Sequence, residues 1–444
     1  MEENTYFMLD IKFIRKNKEK VAKAIKNKNI SLDLERLLEL DKERVKLLQE
    51  IEGLNSLKNN LNDLIKESKS EEERKEIIEK GKNIKAKLET KELGYKEVKK
   101  EFEDLADKIP NIISKDTPVG KDETENKVIR KNGEPAKFNF KPKNHMELGK
   151  ALDIIDTKTA AIVSGSRFNY IKGEAAMLQF ALIQFVFGIL IDKKIIAKLA
   201  KKVGNPSDKL FVPVVVPAMV KSEIMKKMDR FNPIEDKYYL KEDELLLAGS
   251  AEHTLGPIHM NQILKEEVLP LRYIGYSTAF RREAGSYGKD TKGILRCHQF
   301  DKMEMESFSI SENGQAEQDF IVAIQEYIIE QLEIPYQVVA ICSGDMGKPD
   351  FRQIDIECWI PSQNKYRETH TSDYMTDFQA RRLNTKVKRN SGETELVHMN
   401  DATAVAIGRM LIAIVENYQQ ADGSVKIPKV LQQWMPGKIK MIKE

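Results

Sequence analysis

Between Leu32 and Ile109, apolar side chains recur every seven positions in a field of Lys and Glu. Leu40, Leu47, Leu54 and Leu61 form one row, interleaved with Leu37, Ile51 and Ile65, and Arg44 and Lys58 interrupt the second row. The pattern resumes with Ile77, Ile84, Val98 and Leu105 beside Leu88, Tyr95, Phe102 and Ile109. A seven-residue repeat keeps one seam of a helix facing a partner helix. Between the halves lies "KESKSEEER", where Ser70 followed by Glu73 is a capping-box signal for a new helix. The pattern predicts two helices of about 35 residues joined by a short turn, an antiparallel coiled-coil hairpin reaching roughly 50 Å at about 1.5 Å per residue.

The pattern changes after Pro110. Residues 111–145 are rich in Pro, Asn, Asp and Lys and read as a linker with little helix. "AAMLQFALIQFVFGILI", Ala175 to Ile191, is the most apolar stretch, yet it is short for a membrane span and carries Gln179 and Gln184. It reads as a buried helix, with a subunit interface as one place for it. "LFVPVVVPAMV" holds Pro213 and Pro217 and reads as an edge strand or a strand end. From Leu245 to Arg409 short strands dominate, flanked by "AEQDFIVAIQEYIIEQL" and "DATAVAIGRMLIAIVENYQQ" as helices. Strands in hairpins with flanking helices predict an α+β fold with a mostly antiparallel sheet. The expected domains are residues 1–110, a helical arm, and residues 111–444, an α+β body opening with the linker 111–145.

One hairpin carries charges that a simple sheet does not need. In "TAFRREAGSYGKDTKGILRCHQFDKMEM", Thr278 to Met305, alternation puts Ala279, Arg281 and Glu283 on one face, with Arg282 on the other. His298, Phe300, Lys302 and Glu304 share a face of the second strand. Pairing can therefore gather Arg281, Glu283, Phe300 and Glu304 on one surface. A guanidinium holds phosphate through parallel bonds, and an aromatic face stacks a purine. A salt-bridged solvent face would explain the charges equally well, but not a Gly-rich loop of about a dozen residues where hairpin loops run two to five. "GSAE" adds Ser250 and Glu252, and "YRETHTSD" adds Glu368 and Thr371, a carboxylate with a nearby hydroxyl of the kind that suits Mg²⁺ beside phosphates. Arg409 follows "AIG" in a helix, near a helix start suited to anions.

Composition narrows the reading. The chain has 444 residues and a net charge of +3, so nucleic-acid binding would need local patches. Cys297, Cys342 and Cys358 are too few and scattered for a disulfide framework or a sulfur-based zinc site, which fits a reducing compartment. "MEENTYFMLDIKFIRKNKEK" has charges where a leader would be apolar, so a soluble cytoplasmic protein is expected, with no membrane partner. No GxxxxGK[ST], GxGxxG or nucleophile elbow is present. The residue types point to a nucleotide-phosphate enzyme that works by positioning and charge.

The hairpin resembles motif 2 of seryl-tRNA synthetases of bacterial type, F-R-x-E-A-G-S-x-G-[RK]-D-T-[RK]-G-[LI]-x-R-x-H-Q-F-x-K-x-E, almost throughout. "MLDIKFIRKNKEKVAKAI" resembles that family's N-terminus, and "DFQARR" and "IGRMLIAIVENYQQADGSVKIPKVL" resemble later segments, the last containing class II motif 3. The resemblance implies a class II synthetase body behind a tRNA-binding arm. It implies ATP-dependent attachment of L-serine to tRNA(Ser) through a seryl-adenylate, with tRNA(Sec) a further candidate acceptor, Mg²⁺ as cofactor and a homodimer.

Position by position, it implies that Ser250, Ala251 and Glu252 hold serine and that Arg281 meets the α-phosphate and the serine carboxylate. Glu283 would contact adenine, with Arg282 beside it in the ATP-binding segment, Cys297 beside the adenosine and Phe300 stacked on the base. Glu304 would read the serine hydroxyl and ammonium. "ETHT", Glu368, Thr369, His370 and Thr371, matches E-I-S-S, which binds ATP, with Glu368 and Thr371 toward Mg²⁺. Arg409 would hold the γ-phosphate, making Arg281 and Arg409 the catalytic pair. Thr403 falls on a serine-contacting Ser of N-G-S-G-L-A-V-G-R. This chain reads "NDATAVAIGR", one residue longer, so Asn400 and Asp401 both compete for the Asn position. Lys289 and Lys292 in the long loop would meet the tRNA acceptor end.

Two other readings compete. A carrier-protein ligase that makes the same adenylate would lack the long arm and use a zinc pocket. A catalytically dead paralogue serving as a binding module would not need Arg281, Glu283, Glu304 and Arg409 together.

Overall fold

The computed structural model describes residues 9–284 and 293–444, and the chain divides into two compact units, Met1–Pro110 and Asn111–Glu444. In the first, short helices Ile11–Lys16 and Lys18–Asn27 precede two long ones, α1 (Leu34–Glu67) and α2 (Glu71–Ala106). The predicted turn lies between Glu67 and Glu71. Ser70 Oγ accepts from Glu73 N at 3.1 Å, while the Glu73 carboxylate reaches Lys69 N, one residue short of a reciprocal capping box.

At its base the hairpin is well packed. Leu37, Leu40 and Phe102 are fully buried, and Arg36 bridges to Glu101 with two bonds of 2.8 Å. Arg44, which breaks the heptad row, lies 4.9 Å from the Phe102 ring centroid and bonds the buried Asp41 at 2.9 Å. Toward the tip the seam thins, and Leu57 and Leu64 are about half exposed.

The second unit is built on an eight-stranded sheet. Its strands are β1 (Lys127–Asn132), β2 (Val212–Val215), β3 (Leu271–Phe280), β4 (Gln299–Ser309), β5 (Tyr336–Ala340), β6 (Arg352–Ile360), β7 (Lys365–Thr376) and β8 (His398–Ala406). Their order across the sheet is β1-β5-β6-β7-β8-β4-β3-β2. All neighbours are antiparallel except β2 and β3, which run parallel. The segment expected as a linker has little helix, yet it adds β1 at the sheet edge. Every residue of β1 is exposed, so its polarity does not alternate.

Helices α3 (Gly173–Leu190), α4 (Gly314–Gln331) and α5 (Ile407–Asn417) flank the sheet and share its apolar core. Buried glutamines of α4 satisfy carbonyls of the sheet. Gln318 donates to Arg352 O and Ser372 O, and Gln325 to Thr371 O and Thr403 O. By length and composition α3 could cross a membrane, but half of its apolar window is buried in the body. Its other face leaves Phe180 exposed, near the level of exposure of Val212 on β2, while Val215 is almost fully exposed.

Two bulges shape the middle of the sheet. Ile356 pairs with His370 but Glu357 with Glu368, leaving Thr369 as an extra residue on β7. Met303 pairs with Val405 but Glu304 with Thr403, leaving Ala404 extra on β8. A bulge reverses the in–out alternation beyond it.

Candidate active site

A cavity over β4, β7 and β8 is lined by Arg281, Glu283, Cys297, Phe300, Lys302, Glu368, Thr369, Thr371, Thr403 and Arg409, with Ile294–Arg296, Ala406 and Gly408. The bulges bring these together. Glu368 and Thr371 sit three apart and would face opposite sides of a regular strand. The extra Thr369 turns both toward the cavity, and Ala404 does the same for Thr403 and Ala406.

At one end stand the groups suited to a nucleotide. Strand β3 stops at Phe280, so Arg281 and Glu283 do not continue its alternation. Arg281 N still bonds His298 O at 2.9 Å, and Glu283 takes a left-handed φ of 52°. The Arg281 guanidinium donates to Gly249 O at 3.1 Å and lies 5.3 Å from the Phe300 centroid. Glu283 accepts from Arg296 at 2.8 Å. Cys297 is buried, with Asn169 donating to its sulfur at 3.2 Å. Burial pushes its thiol up to about 11, so it stays protonated and unreactive.

Next to it lies a mixed-charge wall. Arg409 Nη1 donates to Glu368 Oε1 at 2.7 Å and to the Glu368 carbonyl at 2.9 Å. Burial works against the Glu368 carboxylate, but Arg409 outweighs it and holds the group below its ordinary value. Asp355 on β6 is buried, and burial followed by the Glu368 charge raises it well above the ordinary range. Gln353 Nε2 links Asp355 Oδ1 and Thr371 Oγ1, at 3.2 and 3.3 Å. Carboxylate and hydroxyl oxygens beside two arginines fit a hard divalent cation bound together with phosphate.

Beside the cavity, behind Lys302 and Thr403, lies a small, buried, acidic cluster. Ser250 and Ala251 are fully buried just before the helical turn Glu252–Leu255. Lys302 Nζ reaches Glu304 Oε2 at 2.5 Å and donates to Ser250 Oγ at 3.2 Å, and Ser250 Oγ donates to Glu304 Oε2 at 3.2 Å. Burial raises Glu304 above its ordinary value despite Lys302. Glu252 pairs with Arg230 at 2.9 Å, and Arg230 reaches Asp401 at 3.5 Å. Carboxylate oxygens of Glu252, Glu304 and Asp401 lie within 4.8 Å of one another. Glu304 Oε1, Glu306 Oε1 and Asp401 Oδ1 are buried without a hydrogen-bond partner among the described residues. Lys302 and Arg230 already hold this acidic set, so these acceptor oxygens suit the N–H and O–H donors of a small ligand better than a metal ion.

Alternation puts Asn400 and Asp401 on opposite faces. Asp401 shares its face of β8 with Thr403 and meets Arg230, whereas Asn400 donates to Gly314 O on the other side. Two expected ATP-binding residues do not reach the cavity. Arg282 stands at the surface, 5.8 Å from the Tyr238 centroid. His370 is buried and contacts Thr369 Oγ1 at 2.9 Å, with burial lowering it to about 3. The bulge that admits Thr371 sends His370 to the opposite face. Thr369 lines the cavity but spends its hydroxyl on Ile356 O and Cys358. Lys289 and Lys292 lie outside the described residues. Sequence reasoning gave no role to Lys302, Arg296, Asp355 or Arg230. For Lys302 the signal was present, two residues from Glu304 on the same face.

A family model described as the tRNA synthetase class II core domain (G, H, P, S and T) matches residues 236–418, and one described as the seryl-tRNA synthetase N-terminal domain matches residues 8–113. The serine–tRNA ligase of Treponema denticola is 38% identical over 429 residues, covering 96% of this chain and 98% of its own. That of Dictyoglomus turgidum is 39% identical over 433 residues, covering 96% and 98%. Among solved structures, the seryl-tRNA synthetase of Pyrococcus horikoshii complexed with ATP superposes with a TM-score of 0.84 at 36% identity, covering 98% of this chain and 99% of that one. The cytoplasmic serine–tRNA ligase of Naegleria fowleri in complex with AMP gives a TM-score of 0.81 at 27% identity, covering 98% of each chain.

Proposed function

The chain belongs to the seryl-tRNA synthetases, and on that premise we propose how its residues divide the work of joining L-serine to tRNA with ATP. The observation that carries the assignment is a cavity whose lining residue Lys302 bonds a buried acidic cluster beside it. Arg281 and Arg409 line the cavity, and buried acceptors without donors lie in the cluster next to Lys302. Serine brings three ammonium N–H groups and one hydroxyl. Glu252, Glu304 and Thr403 would receive them, with Ser250 and Ala251 closing the wall.

In the first step a serine carboxylate oxygen attacks the α-phosphorus of ATP, the bond to the bridging oxygen of the β-phosphate breaks, and diphosphate leaves. Arg281 would neutralise charge on the α-phosphate and Arg409 on the γ-phosphate. Phe300 would stack on adenine while Glu283 accepts from its amino group. Glu368 and Thr371, with Asp355 behind them, would hold Mg²⁺, which offsets phosphate charge when bound. In the second step the terminal ribose hydroxyl of the tRNA attacks the acyl carbon and AMP leaves. A site built to bond a hydroxyl rejects alanine because its buried polar groups would stay unpaired.

Residues 1–110 would form the tRNA-holding arm and residues 111–444 the catalytic domain. The arm would grip the long variable arm of tRNA(Ser) by shape and backbone, with tRNA(Sec) as a further acceptor. The exposed apolar side chains Phe180 and Val215 support a homodimer through α3 and β2. The cytoplasm is the proposed compartment.

The test is ATP–diphosphate exchange driven by serine, threonine or alanine, followed by charging of tRNA(Ser) and tRNA(Sec). Exchange with serine, and charging of tRNA(Ser), is expected. Exchange with threonine or alanine but not with serine would overturn the pocket assignment.

A further inference from the structure

We propose that Arg230 is a positioning residue for the serine site, tying the ammonium-holding Glu252 to Asp401 and so fixing the buried acidic cluster beside the cavity. This rests on the assignment of that cluster to serine.

Local structure aims the side chain. The short helix Ser222–Lys227 ends where Asp229 adopts a left-handed φ of 61° and Arg230 N bonds back to Met225 O at 2.9 Å. Asp229 is pinned by Lys348 at 2.6 Å, and Met228 O accepts from the buried Gln379 at 3.1 Å. This turn points Arg230 inward. Its Nε meets Glu252 at 2.9 Å and its Nη2 meets Asp401 at 3.5 Å. The guanidinium therefore spans two elements that nothing else in this corner joins by an ion pair among the described residues: the turn carrying Ser250–Glu252 and strand β8 carrying Thr403.

The chemistry explains why a cation is needed here. Aligned back from Arg409 without a gap, the motif this segment resembles has Asn where Asp401 stands, so this chain places an additional carboxylate beside Glu252, Glu304 and Glu306. Burial raises Asp401 and Glu306 well above their ordinary values. Burial also works against Glu252, yet Arg230, with His253 and Lys302, holds it well below. An ionised Glu252 is what an ammonium group requires. Without Arg230 the burial that already raises Asp401 and Glu306 would raise Glu252 as well, and Glu252 would lose the charge that attracts the substrate.

Steady-state exchange kinetics of Arg230→Met, Asp401→Asn and the double variant test this. Arg230→Met is expected to raise the serine KM about tenfold or more while the ATP KM stays within about twofold, because the loss is confined to the acidic cluster. In the double variant, removal of the extra carboxylate should bring the serine KM back to within about threefold of the unmodified enzyme, a non-additive result. Arg230→Lys, which keeps the charge but cannot span both partners, should fall between and serves if the Met variant does not fold. An unchanged serine KM, equal rises in the serine and ATP KM, or a double variant equal to the product of the singles would overturn the proposal. Absence of serine-dependent exchange in the unmodified enzyme would instead overturn the assignment of the site.

Discussion

The arm and the catalytic body use charge in opposite ways. Along α1 and α2 most charges lie in water. Pairs such as Lys66–Asp63 and Lys82–Glu79 are roughly 70% exposed on both sides, where solvent screens them. In the body, Glu304, Glu306, Asp401 and Arg272 are almost fully buried. Arg272 makes bonds of 2.8 and 2.6 Å to Glu317 and lies 4.3 Å from the Phe320 centroid. The proposed role of the arm, holding a distant partner, would call for a regular seam and a solvated surface. A site that must discriminate a small polar molecule needs charges kept from water until that molecule arrives.

Removing the rod should give the largest separation between the two regions. Deleting Leu34–Leu105 is expected to reduce tRNA(Ser) charging on the order of a thousandfold, since the tethered contact is lost, while serine-dependent exchange stays within about twofold. Loss of both activities together would count against the arm as a tRNA-holding device.

Within the body, Glu304→Ala should lower kcat/KM for serine by about a hundredfold and leave the ATP KM within about threefold, because Lys302 and Ser250 lose their acceptor in the acidic cluster alone. Equal losses for both substrates would refute the division between cavity and cluster. Asp41 is the place where the arm behaves like the body. It is fully buried and takes Arg15 at 2.6 Å and Arg44 at 2.9 Å. Asp41→Ala should cost about 3 kcal/mol of arm stability, read from urea unfolding by circular dichroism. Glu79→Ala, on the solvated surface of the arm, should leave the same transition unmoved.

The smallest effect concerns pH. Burial raises Glu306 well above its ordinary 4.5, so the folded state holds a proton that the unfolded state has released. Stability from this group is complete below the unfolded value and is lost as pH rises through the folded value. Glu306→Gln should therefore flatten the decline of the urea midpoint above about pH 4.5. An unchanged slope would show that Glu306 does not hold that proton.

What could be read from the sequence follows the range of the interactions involved. The heptads are local, so both long helices and the turn at Ser70 were legible. Even the interruption at Arg44 makes sense once Phe102 and Asp41 lie beside it. The motif 2 hairpin was legible through its residues and its unusual loop. Glu368 and Thr371 were named together, but not how they come to share a face, because the bulge at Thr369 depends on how β7 pairs with β6. The same bulge sends His370 inside, a result that strand alternation alone gets wrong. Strand β1 was hidden because "KVIRKN" lies exposed at an edge. Arg230 was hidden because its partners come from two distant segments.

The most direct measurement of the central claim is the amount of adenylate bound to the protein after mixing with ATP, Mg²⁺ and one amino acid, without tRNA. Mass spectrometry of the released small molecules would count it. Seryl-adenylate close to one per cavity with serine, and little product with alanine or threonine, is the expected result. No adenylate with serine, or as much with alanine, would contradict the reading of the Ser250–Lys302–Glu304 cluster as the place where serine is recognised.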